Sequence, residues 1–116
     1  MPVQTPSKPT LARYGLTEGA WRKMLDAQGG KCYICEKEPK KGRLCIDHFH
    51  TPGWKKLPPE CRVMWVRGLL CWYCNNRFLS RGIDVKKSKR IVEYLEAFEK
   101  KVQENEAKSM PASVLK

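Results

Sequence analysis

Cys71-Trp72-Tyr73-Cys74-Asn75 repeats the spacing of Cys32-Tyr33-Ile34-Cys35, and 35 residues separate the two pairs. Two residues between cysteines let one tight turn aim both sulfurs at one ion, and two such turns complete a tetrahedral thiolate site that suits Zn²⁺. The spacing therefore predicts Cys32, Cys35, Cys71 and Cys74 as zinc ligands. Four thiolates leave no open position for water or substrate, so this zinc would be structural. A redox dithiol also uses this spacing, but two pairs without a βαβ pattern argue against it. The 35-residue interval exceeds that of a simple zinc ribbon, so a subdomain is inserted between the knuckles. Inside it lies Leu44-Cys45-Ile46-Asp47-His48-Phe49-His50, which contains both histidines of the chain.

The chain has 116 residues, 23 Lys and Arg against 12 Asp and Glu, and a formal charge of +11. That length suits one domain with a modest core, which a structural metal would help to hold. The charge points to a polyanionic partner, nucleic acid above all. Six cysteines could form a secreted disulfide framework. The polar N-terminus MPVQTPSKPT does not read as a signal peptide, however, and no apolar run has membrane length. Paired Cys-x-x-Cys motifs suit metal binding in a reducing compartment, so the expected location is cytoplasmic. Cys45 and Cys61 read as small buried residues, with a disulfide between them left open.

Residues 1–12 contain three prolines and predict a flexible N-terminal arm. Thr17 is placed to cap a helix whose Trp21, Met24 and Leu25 share a face, and Gly29-Gly30 would end it. Leu44 to His48 predicts one strand, and Arg62 to Leu70 an antiparallel second. The Pro-rich stretch 51–60 between them predicts a loop. A short helix over Cys74 to Leu79 follows. A longer one begins at Asp84 with an apolar stripe of Ile91, Leu95, Phe98 and Val102. The predicted organisation is a single domain over 13–108 and a frayed tail over 109–116.

Asp47 offers a hard carboxylate oxygen and Asn75 an amide oxygen, donors that suit Mg²⁺ or Mn²⁺ better than zinc. His48, with an ordinary pKa of roughly 6.5, can accept a proton from water at neutral pH. Phosphodiester hydrolysis needs a base, a cation for developing charge and cationic side chains to hold the strand. In a regular strand, however, His48 and His50 share one face and Asp47 takes the other. The strand must therefore end, bend or bulge here for Asp47 and His48 to serve one phosphate.

Arg67, Arg77, Arg81, Lys55 and Lys56 surround this segment in sequence and are candidate contacts to backbone phosphates. Lys86, Lys87, Lys89 and Arg90 crowd the start of the last helix, where the positive dipole end disfavours them unless an anion sits there. Trp54 can either stack on bases or pack on the zinc lobe.

These motifs, in this order over residues 14–79, resemble the recombination endonuclease VII family of phages, a branch of the HNH or ββα-metal nucleases. Tyr14-Gly15-Leu16-Thr17, Gln28-Gly29-Gly30-Lys31-Cys32-Tyr33-Ile34-Cys35, Asp47-His48-Phe49-His50-Thr51 and Arg67 through Asn75 carry the resemblance. It implies a small α+β fold with a zinc-stabilised ββα-metal core, two Cys-x-x-Cys knuckles, an N-terminal helix and a C-terminal helix. It further implies a DNA endonuclease in a phage-infected bacterial host, leaving 5′-phosphate and 3′-hydroxyl ends. Asp47 and Asn75 would ligate Mg²⁺, His48 would be the general base, and His50 would sit at the phosphate or leaving group. Phe49 stands where the family often has an acid, and Phe78 where its junction resolvase has a catalytic glutamate. Branched, nicked and packaging-site DNA are the substrates this resemblance suggests, and a homodimer or another phage protein a further partner. The alternatives are a non-catalytic zinc module that binds nucleic acid, and a zinc domain that docks a protein through its last helix.

Overall fold

The computed structural model describes residues 3–107. The prolines of 1–12 predict an arm; among the described residues of this stretch a helix begins at Lys8. Ser7 caps a short helix, α1 (Lys8–Arg13), by accepting from the Thr10 N–H at 3.3 Å, and Pro9 stands in its first turn, where no N–H is needed. Leu11 buries its side chain from this helix, while Gln4 donates its backbone N–H to Gly42. An apolar residue spaced one turn into a capped segment outweighs the proline count. The expected tail over 109–116 lies outside the described residues.

Thr17 caps the next helix, α2 (Glu18–Ala27), accepting from the Ala20 N–H at 3.0 Å, as its sequence position predicts. Trp21 and Leu25 are buried on its inner face. Gly29 and Gly30 both have φ near +70°, and the Gly30 N–H bonds back to the Leu25 carbonyl, which stops the helix and turns the chain into the first knuckle.

Two antiparallel strands, β1 (Cys45–His48) and β2 (Val66–Leu70), make the sheet. The predicted start of the second strand at Arg62 is four residues early. Pro58-Pro59 initiates a short helix instead, α3 (Pro59–Arg62), and a 3-10 turn over Val63–Trp65 leads into β2. The interval 51–60 also holds a 3-10 turn over Trp54–Lys56. Helix α4 (Trp72–Arg77) starts two residues before its predicted position, because Cys71 itself acts as the cap through its sulfur.

Leu11, Leu16, Trp21, Leu25, Leu44, Ile46, Leu69 and Leu70 form a core shared by α1, α2 and the sheet, and Cys32 and Cys74 join it. Gln28 ties the end of α2 to β2. Its Oε1 accepts from the Leu69 N–H at 2.9 Å, and its Nε2 donates to the Leu69 carbonyl at 2.8 Å. The side-chain amide thus pairs with β2 as a neighbouring strand would.

The described residues up to Arg81 form one compact unit and those from Gly82 another. That unit is the helix α5 (Val85–Ala107), capped by Asp84, which accepts from the Lys87 N–H at 2.8 Å. Ile91, Leu95 and Phe98 of its predicted stripe are about half exposed. No helix among the described residues is long and apolar enough to cross a membrane.

Gly15, in the turn between α1 and α2, has φ +69°, and a Cβ there would lie 1.9 Å from the Pro59 carbonyl oxygen. Gly15→Ala should therefore destabilise the fold by at least about 2 kcal/mol, from the left-handed backbone plus displacement of α3. Urea unfolding of the zinc-loaded protein measures this, and a loss below about 0.5 kcal/mol would show that the close approach is not required.

Candidate functional site: a thiolate cluster beside a bulged strand

The sulfurs of Cys32, Cys35, Cys71 and Cys74 all lie within 4.8 Å of one another. Cys35 Sγ and Cys71 Sγ are 3.9 Å apart. Zn–S bonds of about 2.3 Å in a tetrahedron place sulfurs roughly 3.8 Å apart, so the cluster fits zinc in both donor type and spacing. Against the upward push of burial, hydrogen bonds from the backbone N–H groups of Cys35, Cys71 and Ile34 bring the Cys32 thiol down to about 7. Burial and its sulfur neighbours push Cys74 up. A thiolate thus forms most readily at Cys32, and metal binding would draw the remaining protons off. All six cysteines are free thiols, Cys45 and Cys61 included.

Among the described residues this is the one group of three or more Cys, His, Asp or Glu side chains placed to share an ion. Asp47, His48 and His50 do not form a second such group. An ion at Asp47 and Asn75 would therefore keep most of its waters, as Mg²⁺ commonly does.

A bulge interrupts the sheet between Asp47 and His48, and it lies on the partner strand. Asp47 pairs with Gly68, but His48 pairs with Val66, so Arg67 is an extra residue on β2. Its guanidinium turns onto Asp47, with Nε 2.7 Å from Oδ2 and Nη2 3.0 Å from Oδ1. The same Nη2 is 3.5 Å from the His48 carbonyl. Asp47 is 5% exposed, whereas the Arg67 side chain is 38% exposed. Arg67, expected at a DNA phosphate, is thus engaged with the expected metal ligand. Each carboxylate oxygen keeps a lone pair after accepting one N–H, so the donor chemistry of Asp47 still fits a hard divalent ion.

His48 ends β1 and sits among aromatic rings. Trp54 stacks on it with centroids 4.2 Å apart and planes 26° apart, His50 lies at 4.5 Å and Tyr14 at 5.5 Å. Burial first, then the adjoining His50 and Arg67, lower the His48 pKa against the opposing pull of Asp47. The lowered pKa favours the neutral imidazole, the form that can accept a proton.

Trp54 is 8% exposed. Its ring packs against His48, Tyr14 and the Arg62 guanidinium. The loop carrying it is held by Arg62, a residue the sequence gives no reason to single out. Arg62 donates to the carbonyls of Leu57 at 2.8 Å, Lys55 at 2.8 Å and Arg13 at 3.1 Å, and its guanidinium lies 5.4 Å from the Trp54 ring centre. The exposed aromatic pair beside His48 is instead Phe49 and Trp65, stacked 5.7 Å apart, at 50% and 38% exposure.

Lys55, Lys56, Arg77 and Arg81 are exposed, and the Arg77 guanidinium lies 5.8 Å from the Tyr73 ring centre. In the second unit, Lys86, Lys87, Lys89 and Arg90 are exposed too, but Asp84 supplies the anion that their helix terminus lacks on sequence grounds. Lys87 Nζ also reaches the Gly82 carbonyl at 3.3 Å, and Arg90 pairs with Glu93 at 2.8 Å. The case for a bound phosphate there is correspondingly weaker. A cavity of about 560 Å³ is lined by Gln4, Ser7, Thr10, Arg43, Ile46 and Asn75 among others. Of the expected metal and catalytic residues, Asn75 alone borders it.

Residues 7–97 match the family described as recombination endonuclease VII. The chain belongs to the recombination endonuclease VII family. It is 40% identical over 87 residues to the Gene 59 protein of Mycobacterium phage L5, covering 73% of this chain and 46% of that protein. The Gene 59 protein of Mycobacterium phage D29 is 37% identical over the same share of each chain. The chain thus spans about half the length of these curated relatives. No solved structure matches it. Within this endonuclease VII family member, the matched region takes in both knuckles, the bulged sheet and most of α5.

Purified protein should carry a single zinc ion per chain, and Cys74→Ser should lose it along with the near-ultraviolet signal of the buried Trp21. Elemental analysis checks this. Parental zinc content in Cys74→Ser would mean that the metal is held elsewhere.

Proposed function

We propose that this chain is a DNA endonuclease that needs Mg²⁺ or Mn²⁺ and is built on a zinc-stabilised ββα-metal, or HNH-like, core within residues 13–108. The observation that carries the reading is His48 at the end of β1, stacked on Trp54 and next in sequence to Asp47. Membership of the family supports it. His48 would take a proton from the water that attacks phosphorus. The bond from phosphorus to the 3′ oxygen would then break, leaving a 5′-phosphate and, once that oxygen is protonated, a 3′-hydroxyl. Asp47 and Asn75 would hold the divalent ion, which when bound supplies positive charge for the phosphate and the leaving oxygen. His50, 4.5 Å from His48, would stand at the phosphate or leaving group.

DNA is the substrate this reading implies, and the net charge of +11 supports it. Lys55, Lys56, Arg77 and Arg81 remain candidates for gripping the backbone. The exposed Phe49–Trp65 pair supports a substrate with unstacked bases, such as nicked, branched or packaging-site DNA. A site of action in the cytoplasm of an infected host follows from the same reading. One observation favours a non-catalytic zinc module that binds nucleic acid: the Asp47 charge is already matched by Arg67.

A cleavage panel of linear duplex, flap, bubble and four-way junction, with Mg²⁺ or Mn²⁺, separates the two. His48→Ala should lower cleavage by about a hundred- to ten-thousandfold while zinc content and DNA binding persist. If the parent cuts nothing yet binds DNA in a salt-sensitive way, the non-catalytic reading stands. If His48→Ala cuts like the parent, His48 is not the base. Phe49→Ala and Trp65→Ala should each weaken binding to flap DNA by about tenfold relative to intact duplex, as loss of base stacking predicts. Equal losses on both substrates would remove the support for unstacked DNA.

A further inference from the structure

The pairing of Asp47 with Arg67 sets two expectations against each other. Asp47 is placed to hold a divalent ion and Arg67 to hold DNA, yet each occupies the other. We propose that Arg67 is an internal cation that holds the Asp47 carboxylate before a divalent metal binds, and that it yields this carboxylate and turns to a backbone phosphate when metal and DNA are present. The inference rests on the reading of Asp47 as a metal ligand given above.

Three features of the pair support an exchange rather than a fixed structural bridge. First, the two partners differ in access. Asp47 is 5% exposed and faces a guanidinium whose side chain is 38% exposed, so Arg67 is the outer member of the pair. Second, Arg67 is the bulged residue of β2 and has no partner residue on β1, so moving its side chain breaks no strand register. Third, the planar fork that grips a carboxylate through two N–H groups grips a phosphate in the same way. A guanidinium left on Asp47 would repel a divalent cation bound to the same oxygens. Phosphate entering beside His48 offers Arg67 an anion to replace the one it gives up. Arg67 also lies 6.0 Å from the exposed Phe49 ring centre, which marks the outward side of the site.

The test uses the full chain loaded with zinc and needs no cleavage. In protein labelled with ¹⁵N-arginine, the Arg67 Nε–H, 2.7 Å from Asp47, should exchange slowly with solvent. Adding Mg²⁺ should shift its resonance and speed its exchange by about fivefold or more. By calorimetry, Arg67→Gln should bind Mn²⁺ about fivefold or more tightly than the parent, because the competing cation is gone. Asp47→Asn should lose that binding. If the Arg67 signal is unmoved at saturating Mg²⁺ and Arg67→Gln binds Mn²⁺ as the parent does, the exchange is refuted, while the loss in Asp47→Asn keeps the metal ligand. If Asp47→Asn binds Mn²⁺ like the parent, the metal reading itself fails and the exchange fails with it. Should Arg67→Gln not fold, as loss of zinc or of a cooperative unfolding curve would reveal, the resonance of the parent decides.

For the phosphate half, binding of a short duplex without divalent ions should become steeper in salt by roughly one contact in Asp47→Asn, and this gain should vanish in Asp47→Asn/Arg67→Gln. An unchanged slope in Asp47→Asn would refute the transfer to phosphate.

Discussion

Four sulfur atoms from two distant turns must meet within one ion's reach, and the arrangement of the first 81 residues follows from that demand. The first knuckle hangs from the end of α2, and the second joins β2 to α4. Bringing them together sets α2 beside β2, where Gln28 bonds both polar groups of the Leu69 backbone. Tyr33, inside the first knuckle, adds a further bond to the Leu69 carbonyl. A core of six leucines, one isoleucine and one tryptophan is small for holding such a sheet by burial alone. A metal that binds only the folded thiolate geometry adds its binding free energy to that of folding.

That frame holds β2, and β2 holds β1. β1 presents Asp47 and His48, and β2 runs beside it into the second knuckle, so any shift of the cysteines would be felt in the register of the two strands. The bulge at Arg67 changes which side chains can face each other there. A second set of contacts fixes His48 from the opposite side. Arg62 gathers three carbonyls from the α1 end and the loop, and so presents Trp54 to the imidazole.

Much of the scaffold was legible along the chain because its causes are local. Thr17 as a cap, Gly29-Gly30 as a stop and paired cysteines as knuckles each act within a few residues of themselves. The second strand was legible only in its later part. Val63, Met64 and Trp65 are as apolar as strand residues, and nothing in their periodicity betrays the 3-10 turn that Pro58-Pro59 sets up. The N-terminal segment misleads in the opposite sense, since prolines suggest an open arm until Leu11 finds the core. Trp54 was ambiguous because burial of an aromatic ring depends on which neighbours arrive, and those neighbours, Tyr14, His48 and Arg62, are far from it in sequence or across a loop.

The amino-acid sequence by itself determined the ligand chemistry: thiolates in two close pairs, a carboxylate and imidazole side by side, and an amide after the last cysteine. It determined the family as well, since residues 7–97 match the family on sequence alone. Only the tertiary structure decided their pairings. It placed Arg67 on Asp47, Trp54 on His48, and left Phe49 and Trp65 facing outward. The physical reason is that residue type fixes what a group can bond to, whereas strand register, and here a single extra residue in one strand, fixes which partner comes within reach.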